Sequence, residues 1–126
     1  MKSLIAVAAA VLVASPAAAQ TPAPLTLEQT MLLRCSAAFA IGAAAQQRGD
    51  LASAGYPPLA QRGREYFVRA SARLMDELKL TREEIAARLR GEVAAQQQAA
   101  AGVASPKAYA DSVMQPCLVA LEASGL

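Results

Sequence analysis

The chain has 126 residues, with 12 basic side chains, 10 acidic ones, a formal charge of +2 and no histidine. Without histidine, the Ser-His-Asp and Cys-His nucleophile systems, His-ligated zinc and His-ligated haem are excluded. The near balance of charge is no footprint for nucleic acid or anionic lipid. Hydrophobic residues make up 55%, yet 32 alanines supply nearly half of them. That composition favours helix and fills little core volume.

Residues 1 to about 19 read as a secretory signal peptide. Lys2 is a short basic start, Leu4 to Ala14 are all Leu, Ile, Val or Ala, and Ala17-Ala18-Ala19 is a small-residue cleavage site before Gln20. The apolar run is shorter than the roughly 20 residues of a spanning helix, so cleavage is preferred to an uncleaved anchor. No stable membrane insertion is expected afterwards. The mature chain then has 126 − 19 = 107 residues, one domain, with 11 basic against 10 acidic residues. Residues 20–25 form a Pro-containing flexible lead, and 26–126 form the folded part.

Thr26 with Gln29 is a capping box that opens a first helix over about 27–48. Leu27, Met31, Cys35, Ala38, Phe39 and Gly42 share one face, and Gly49 stops the helix. Asp50 to Pro58 is a connector, broken by Gly55 and Pro57-Pro58. A second helix is predicted from Pro58 or Leu59, with an apolar stripe through Leu59, Tyr66, Phe67, Ala70, Leu74 and Leu78. Its outer face pairs Glu65 with Arg69 and Arg73 with Glu77 at i,i+4. Thr81 and Glu84 form a second capping box before a third helix over about 82–100, with Ile85, Leu89 and Val93 inward. The Ala/Gln stretch 94–104 reads as a solvated helix end. Ser105-Pro106 opens a last helix, with Tyr109, Val113, Cys117, Leu118 and Leu121 inward. Pro116 is expected to kink or split it, and Gly125-Leu126 fits a Schellman ending.

The expected fold is all-α, a four-helix up-and-down bundle. An exported chain with two cysteines, Cys35 and Cys117, is expected to bridge them. The bridge would tie the first helix to the last, which are neighbours in that topology. A redox-active pair is disfavoured, because the C-x-x-C spacing that lowers a thiol pKa is missing.

Candidate sites are few. Asp76-Glu77 and Glu83-Glu84 are the adjacent acidic pairs, and both suit helix ends better than catalysis. Arg62, Arg69 and Arg73 fall near one helical face and form a candidate surface for a partner, against the simpler reading of a solvated face. Met31, Phe39, Tyr66, Phe67, Met75 and Met114 form a candidate apolar pocket, against plain core. The Tyr56-Pro57-Pro58 loop is a candidate contact segment, and Arg48-Gly49-Asp50 reads as a helix stop rather than an adhesion motif. No residues suggest a cofactor or a metal, and no catalytic constellation is present.

Leu-Leu-Arg-Cys-Ser-Ala-Ala-Phe at 32–39, Gly-Arg-Glu-Tyr-Phe-Val-Arg-Ala at 63–70 and Pro-Cys-Leu at 116–118 carry a resemblance. The chain resembles small exported, Ala-rich helical proteins of Gram-negative bacteria that have one disulfide and no assigned function. That resemblance implies a periplasmic location and supplies no activity. In size, helicity and a single bridge the chain is also similar to small periplasmic stress chaperones, by analogy alone. The resulting expectation is a non-enzymatic periplasmic protein that acts through an envelope protein partner, in a stress or chaperone-like role. The alternative expectation is a binder of a small apolar ligand inside the bundle.

Overall fold

The computed structural model describes residues 23–126, so the segment read as a signal peptide and the first part of the lead lie outside the described residues. Four helices follow one another: α1 (Leu27–Arg48), α2 (Arg62–Leu78), α3 (Arg82–Ala101) and α4 (Pro106–Ala123), with a 3-10 turn at Leu51–Ser53 between the first two. No strand occurs among the described residues.

The helix ends are set by local chemistry. At the start of α1, Thr26 Oγ1 accepts from the Gln29 amide at 3.1 Å, and the Thr26 amide donates to Gln29 Oε1 at 3.0 Å. Thr81 and Glu84 repeat the arrangement at α3, and Ser105 caps α4 ahead of Pro106. Each satisfies amides that a helix start leaves open. At the other end of α1, Gly49 takes φ +72°. The Gly49 amide reaches the Gln46 carbonyl and the Asp50 amide reaches that of Ala45, which is a full Schellman ending. The end of α2 uses the same device with Lys79 at φ 55°. The Leu80 amide donates to the Met75 carbonyl, and Leu80 and Met75 both pack on the Leu74 cluster.

One helix start differs from the sequence reading. Helix α2 begins at Arg62 rather than at Pro58 or Leu59. The reason lies in α1: Gln46 Oε1 accepts from the Leu59 amide, and Gln46 Nε2 donates to the carbonyls of Pro57 and Tyr56. That side-chain amide holds the segment extended while the Leu59 side chain drops fully into the core. Helix α4 runs through Pro116 without splitting. At its end the Gly125 amide meets the Glu122 carbonyl, one of the two Schellman bonds.

Helix α1 is the centre and packs against all three others. Phe39 meets Tyr66 edge-on at 5.1 Å between ring centroids, and Glu28 meets Arg73, so α1 and α2 run antiparallel. Leu32 and Leu33 lie by Ile85 and Leu89, and Arg34 by Gln96, so α3 runs back parallel to α1. Cys35 and Cys117 form the disulfide between α1 and α4, with Cα atoms 5.1 Å apart. The architecture is therefore the all-α bundle with helices one and four bridged.

The apolar interior has two parts. The larger holds Cys35, Ala38, Phe39, Leu59, Tyr66, Ala70, Val113, Met114, Cys117 and Leu121. The smaller holds Leu74, Ile85 and Leu89. Gly42 marks a close approach in the larger part: a Cβ there would stand 2.7 Å from Leu59 Cδ1 and 3.0 Å from Met114 Cε. A side chain there would push aside the tips of Leu59 and Met114, so glycine lets the connector and α4 sit close to α1 at that level.

Candidate functional site

Of the hollows on the described surface, two features lie against α3. The first is a pocket of about 130 Å³ where α1, the C-terminal half of α3 and the N-terminal half of α4 meet beneath the 3-10 turn. Its walls include Ile41, Ala45, Ala100, Val113 and Met114. The α1 contribution, Ala38, Ile41, Gly42 and Ala45, recurs at three- and four-residue steps, as one helical face should. Alanine on all sides leaves the helices apart, which creates the space.

Three of the polar side chains around this pocket are tied elsewhere. Gln96 Nε2 donates to the Arg34 carbonyl at 2.9 Å and to Glu92 Oε1 at 3.0 Å. Ser53 Oγ donates to the Asp50 carbonyl at 2.7 Å. Tyr56 donates its hydroxyl to Asp111 Oδ1 at 2.6 Å, and Lys107 Nζ holds the other oxygen of that carboxylate. Burial first, and then the Asp111 carboxylate, push the Tyr56 hydroxyl well above the ordinary tyrosine range. Lys107, and then the Tyr56 hydrogen bond, hold Asp111 below the usual carboxylate range.

The second feature is a groove between α2 and α3, made of two adjoining hollows of about 740 and 370 Å³. Phe67, Ala86 and Leu89 line both. Val68, Ala72 and Met75 extend it along α2, and Ile85 and Val93 along α3. From Arg82 to Gln97 the α3 wall is about 22 Å long at 1.5 Å per residue. Phe67 is 36% exposed and Val68 58% exposed. Ser71 Oγ, also in this wall, is buried without a hydrogen-bond partner among the described residues.

The residues singled out from sequence are distributed as follows. Arg62 donates from Nε to the main-chain oxygen of Leu126 and from Nη2 to Glu122 at 2.7 Å, fastening the end of α4 to the start of α2. Arg73 binds Glu28 and Glu77 at 2.7 and 2.6 Å, and Gln29 holds the other oxygen of Glu77. Arg69 is exposed, and no carboxylate lies within ion-pair distance of it among the described residues, so the expected Glu65 pair is not formed. Two of the three arginines thus serve helix-to-helix fastening at separate places. Of the six apolar candidates, Phe39, Tyr66 and Met114 are core, with Met31 against them. Met75 belongs to the smaller cluster, and Phe67 opens on the groove. They do not enclose one cavity, and only Met114 lines the three-helix pocket. The Tyr56-Pro57-Pro58 loop is gripped by Gln46 and anchored through Tyr56 to α4.

Sequence reading missed Gln46 and Gln96. Gln96 was open to detection, because it continues the buried spacing of Leu89 and Val93 as a polar residue on an apolar stripe. Among the described residues, no three acidic or cysteine side chains gather as they would around a metal ion. No helix among them is long and apolar enough to cross a membrane. No family model, curated protein or solved structure matches the chain.

Proposed function

We propose that this protein is exported and works in the periplasm as a non-enzymatic binding protein, taking an amphipathic helix of an envelope protein partner into the α2–α3 groove. The reading is of a stress or chaperone-like factor. The observation that carries it is the groove itself, a continuous apolar channel with Phe67 and Val68 left open to solvent. A trough about 22 Å long suits roughly four turns of helix. Apolar surface of this kind marks interaction sites.

Charge selects the partner. Arg82 and Arg90 stand along the α3 wall and Arg64 lies beside Phe67, and no carboxylate among the described residues is within ion-pair distance of any of them. The acidic residue in the groove, Asp76, faces Lys79 at 3.8 Å. A helix with an apolar stripe and acidic flanks therefore fits, and a basic one is repelled. The signal-peptide pattern of residues 1–19 and the Cys35–Cys117 bridge support the compartment.

A synthetic amphipathic peptide with glutamate flanks, and its lysine-flanked counterpart, test the reading by fluorescence anisotropy. The acidic peptide should bind and the basic one should not. Phe67→Asp should weaken binding at least tenfold with the helical circular dichroism unchanged. Equal binding of both peptides, or undiminished binding by Phe67→Asp, would refute it.

A further inference from the structure

The three-helix pocket adjoins the far end of the groove, and Gln97 is the residue that lines both. We infer that it is a binding site for one neutral, single-ring organic molecule carrying at most one polar substituent, of the size of toluene or phenol. This inference does not depend on the partner-binding role proposed for the groove.

Size is the first argument. At about 130 Å³ the pocket is close to apolar cavities of roughly 150 Å³ that stay dry and take up benzene. One ring fills that space, and a water there would find few free polar partners.

The second argument is the state of the polar groups. A buried water needs two to four polar partners. Gln96 Nε2, Ser53 Oγ and the Tyr56 hydroxyl all line the pocket, and all are already donating to protein acceptors. Besides Gln97 and Tyr109, what remains facing the space is Ile41, Gly42, Val113, Met114 and alanine. An apolar guest therefore leaves the hydrogen bonds of Gln96, Ser53 and Tyr56 intact.

Charge is the third. No acidic or basic side chain lines the pocket. The carboxylates bonded to lining side chains are both engaged, Asp111 by Tyr56 and Lys107 and Glu92 by Gln96. An anion such as benzoate or a cation such as an alkylammonium would lose hydration and gain no counter-charge. Among the lining hydroxyls, Tyr109 alone has no hydrogen-bond partner among the described residues, and it lies half-buried. It is the group available to a single polar substituent on the ring.

The walls are also fixed in advance. The disulfide clamps α4 to α1 one turn beyond Val113 and Met114, and Tyr56 pins the connector to α4. Guest binding then costs little ordering of the protein.

The test titrates the oxidised protein with toluene, phenol and benzoate, read by chemical-shift changes of the Ala45, Ala100 and Val113 methyl groups. Toluene and phenol should shift these methyls saturably, and benzoate should bind at least tenfold more weakly. Ala100→Phe, which fills the pocket from the half-buried end of α3, should abolish the shifts. Ala100→Leu is the milder variant and should weaken binding about tenfold even if the larger one fails to fold. Phe67→Asp should leave ring binding unchanged, and Ala100→Leu should leave peptide binding in the groove unchanged, so the two sites fail independently. Absence of saturable shifts with toluene and phenol, equal affinity for benzoate, or undiminished binding by Ala100→Leu would overturn the inference.

Discussion

The two apolar clusters of this bundle are held together by different means. The cluster around Cys35–Cys117 draws on α1, α2, α4 and the connector, and a covalent bond runs through it. The cluster around Leu74 has three buried residues, and its α2–α3 side opens on a groove. In a domain this rich in alanine, a filled core cannot be built everywhere. Buried packing is concentrated where the staple is, beside the small three-helix pocket, and the far side opens on the longer groove. Local stability should follow the same division, with the α3 side opening more readily than the α1–α4 seam.

Removing the staple is the severest way to break that division. Chain-entropy reasoning for cysteines 82 positions apart gives about 4–5 kcal/mol. The double variant Cys35→Ser, Cys117→Ser should lose about that much in urea melts, and an unmoved midpoint would mean that packing alone holds the seam. Next come the two clusters themselves. Leu121→Ala, at a fully buried site ringed by the larger cluster, should cost about 3–4 kcal/mol, and Leu89→Ala beside the groove about 2 kcal/mol, because that wall can relax into open space. Equal losses would show the groove side to be as tightly packed as the seam.

Acid and alkali should separate the regions further. Arg73 lowers the pKa of Glu28, Gln29 and then Arg73 lower that of Glu77, and the Thr81 hydrogen bonds lower that of Glu84. Their contribution is present above the unfolded value of about 4.5 and is lost as pH falls through the lower folded values. All three carboxylates lie at the α1–α2 end or the α3 cap, so amide exchange should rise there first on acidification. Asp111 is the one such group on the other side. Tyr56 and Tyr66 are raised, chiefly by burial, and belong to the stapled region. Their contribution is whole below about pH 10 and is lost above it. Thermal melts should therefore weaken at both extremes, with exchange mapping acid damage to α2–α3 and alkaline damage to the seam. The smallest effect is a gain. Lys79 ends α2 in the left-handed region, so Lys79→Gly should stabilise by about 0.5–1 kcal/mol, measured as a rise in the melting midpoint.

The helices were legible because their ends are written locally. Thr26, Thr81 and Ser105 cap their own neighbours, and Gly49 ends its own helix, so a short window of sequence is enough. The bridge was legible because two cysteines allow one pairing. The start of α2 was not, because it is decided by Gln46, which is 13 residues before Leu59. The pocket was not legible either. It arises from alanines on three helices that fail to fill the space between them, and a gap has no residue of its own to read. Arg62 and Arg73 looked like one face in projection, but their partners lie 60 and 45 residues away. Only the assembled bundle separates a free charge from a fastened one.

The bridge has a further consequence that concerns topology rather than energy. All of α2 and α3 lies between Cys35 and Cys117. A protease that cuts once in the Ala/Gln stretch 94–104 releases nothing, and the two pieces stay one molecule until a reductant arrives. The oxidised chain is likewise no longer a single thread. Even fully unfolded, it would have to enter a narrow pore as a doubled strand.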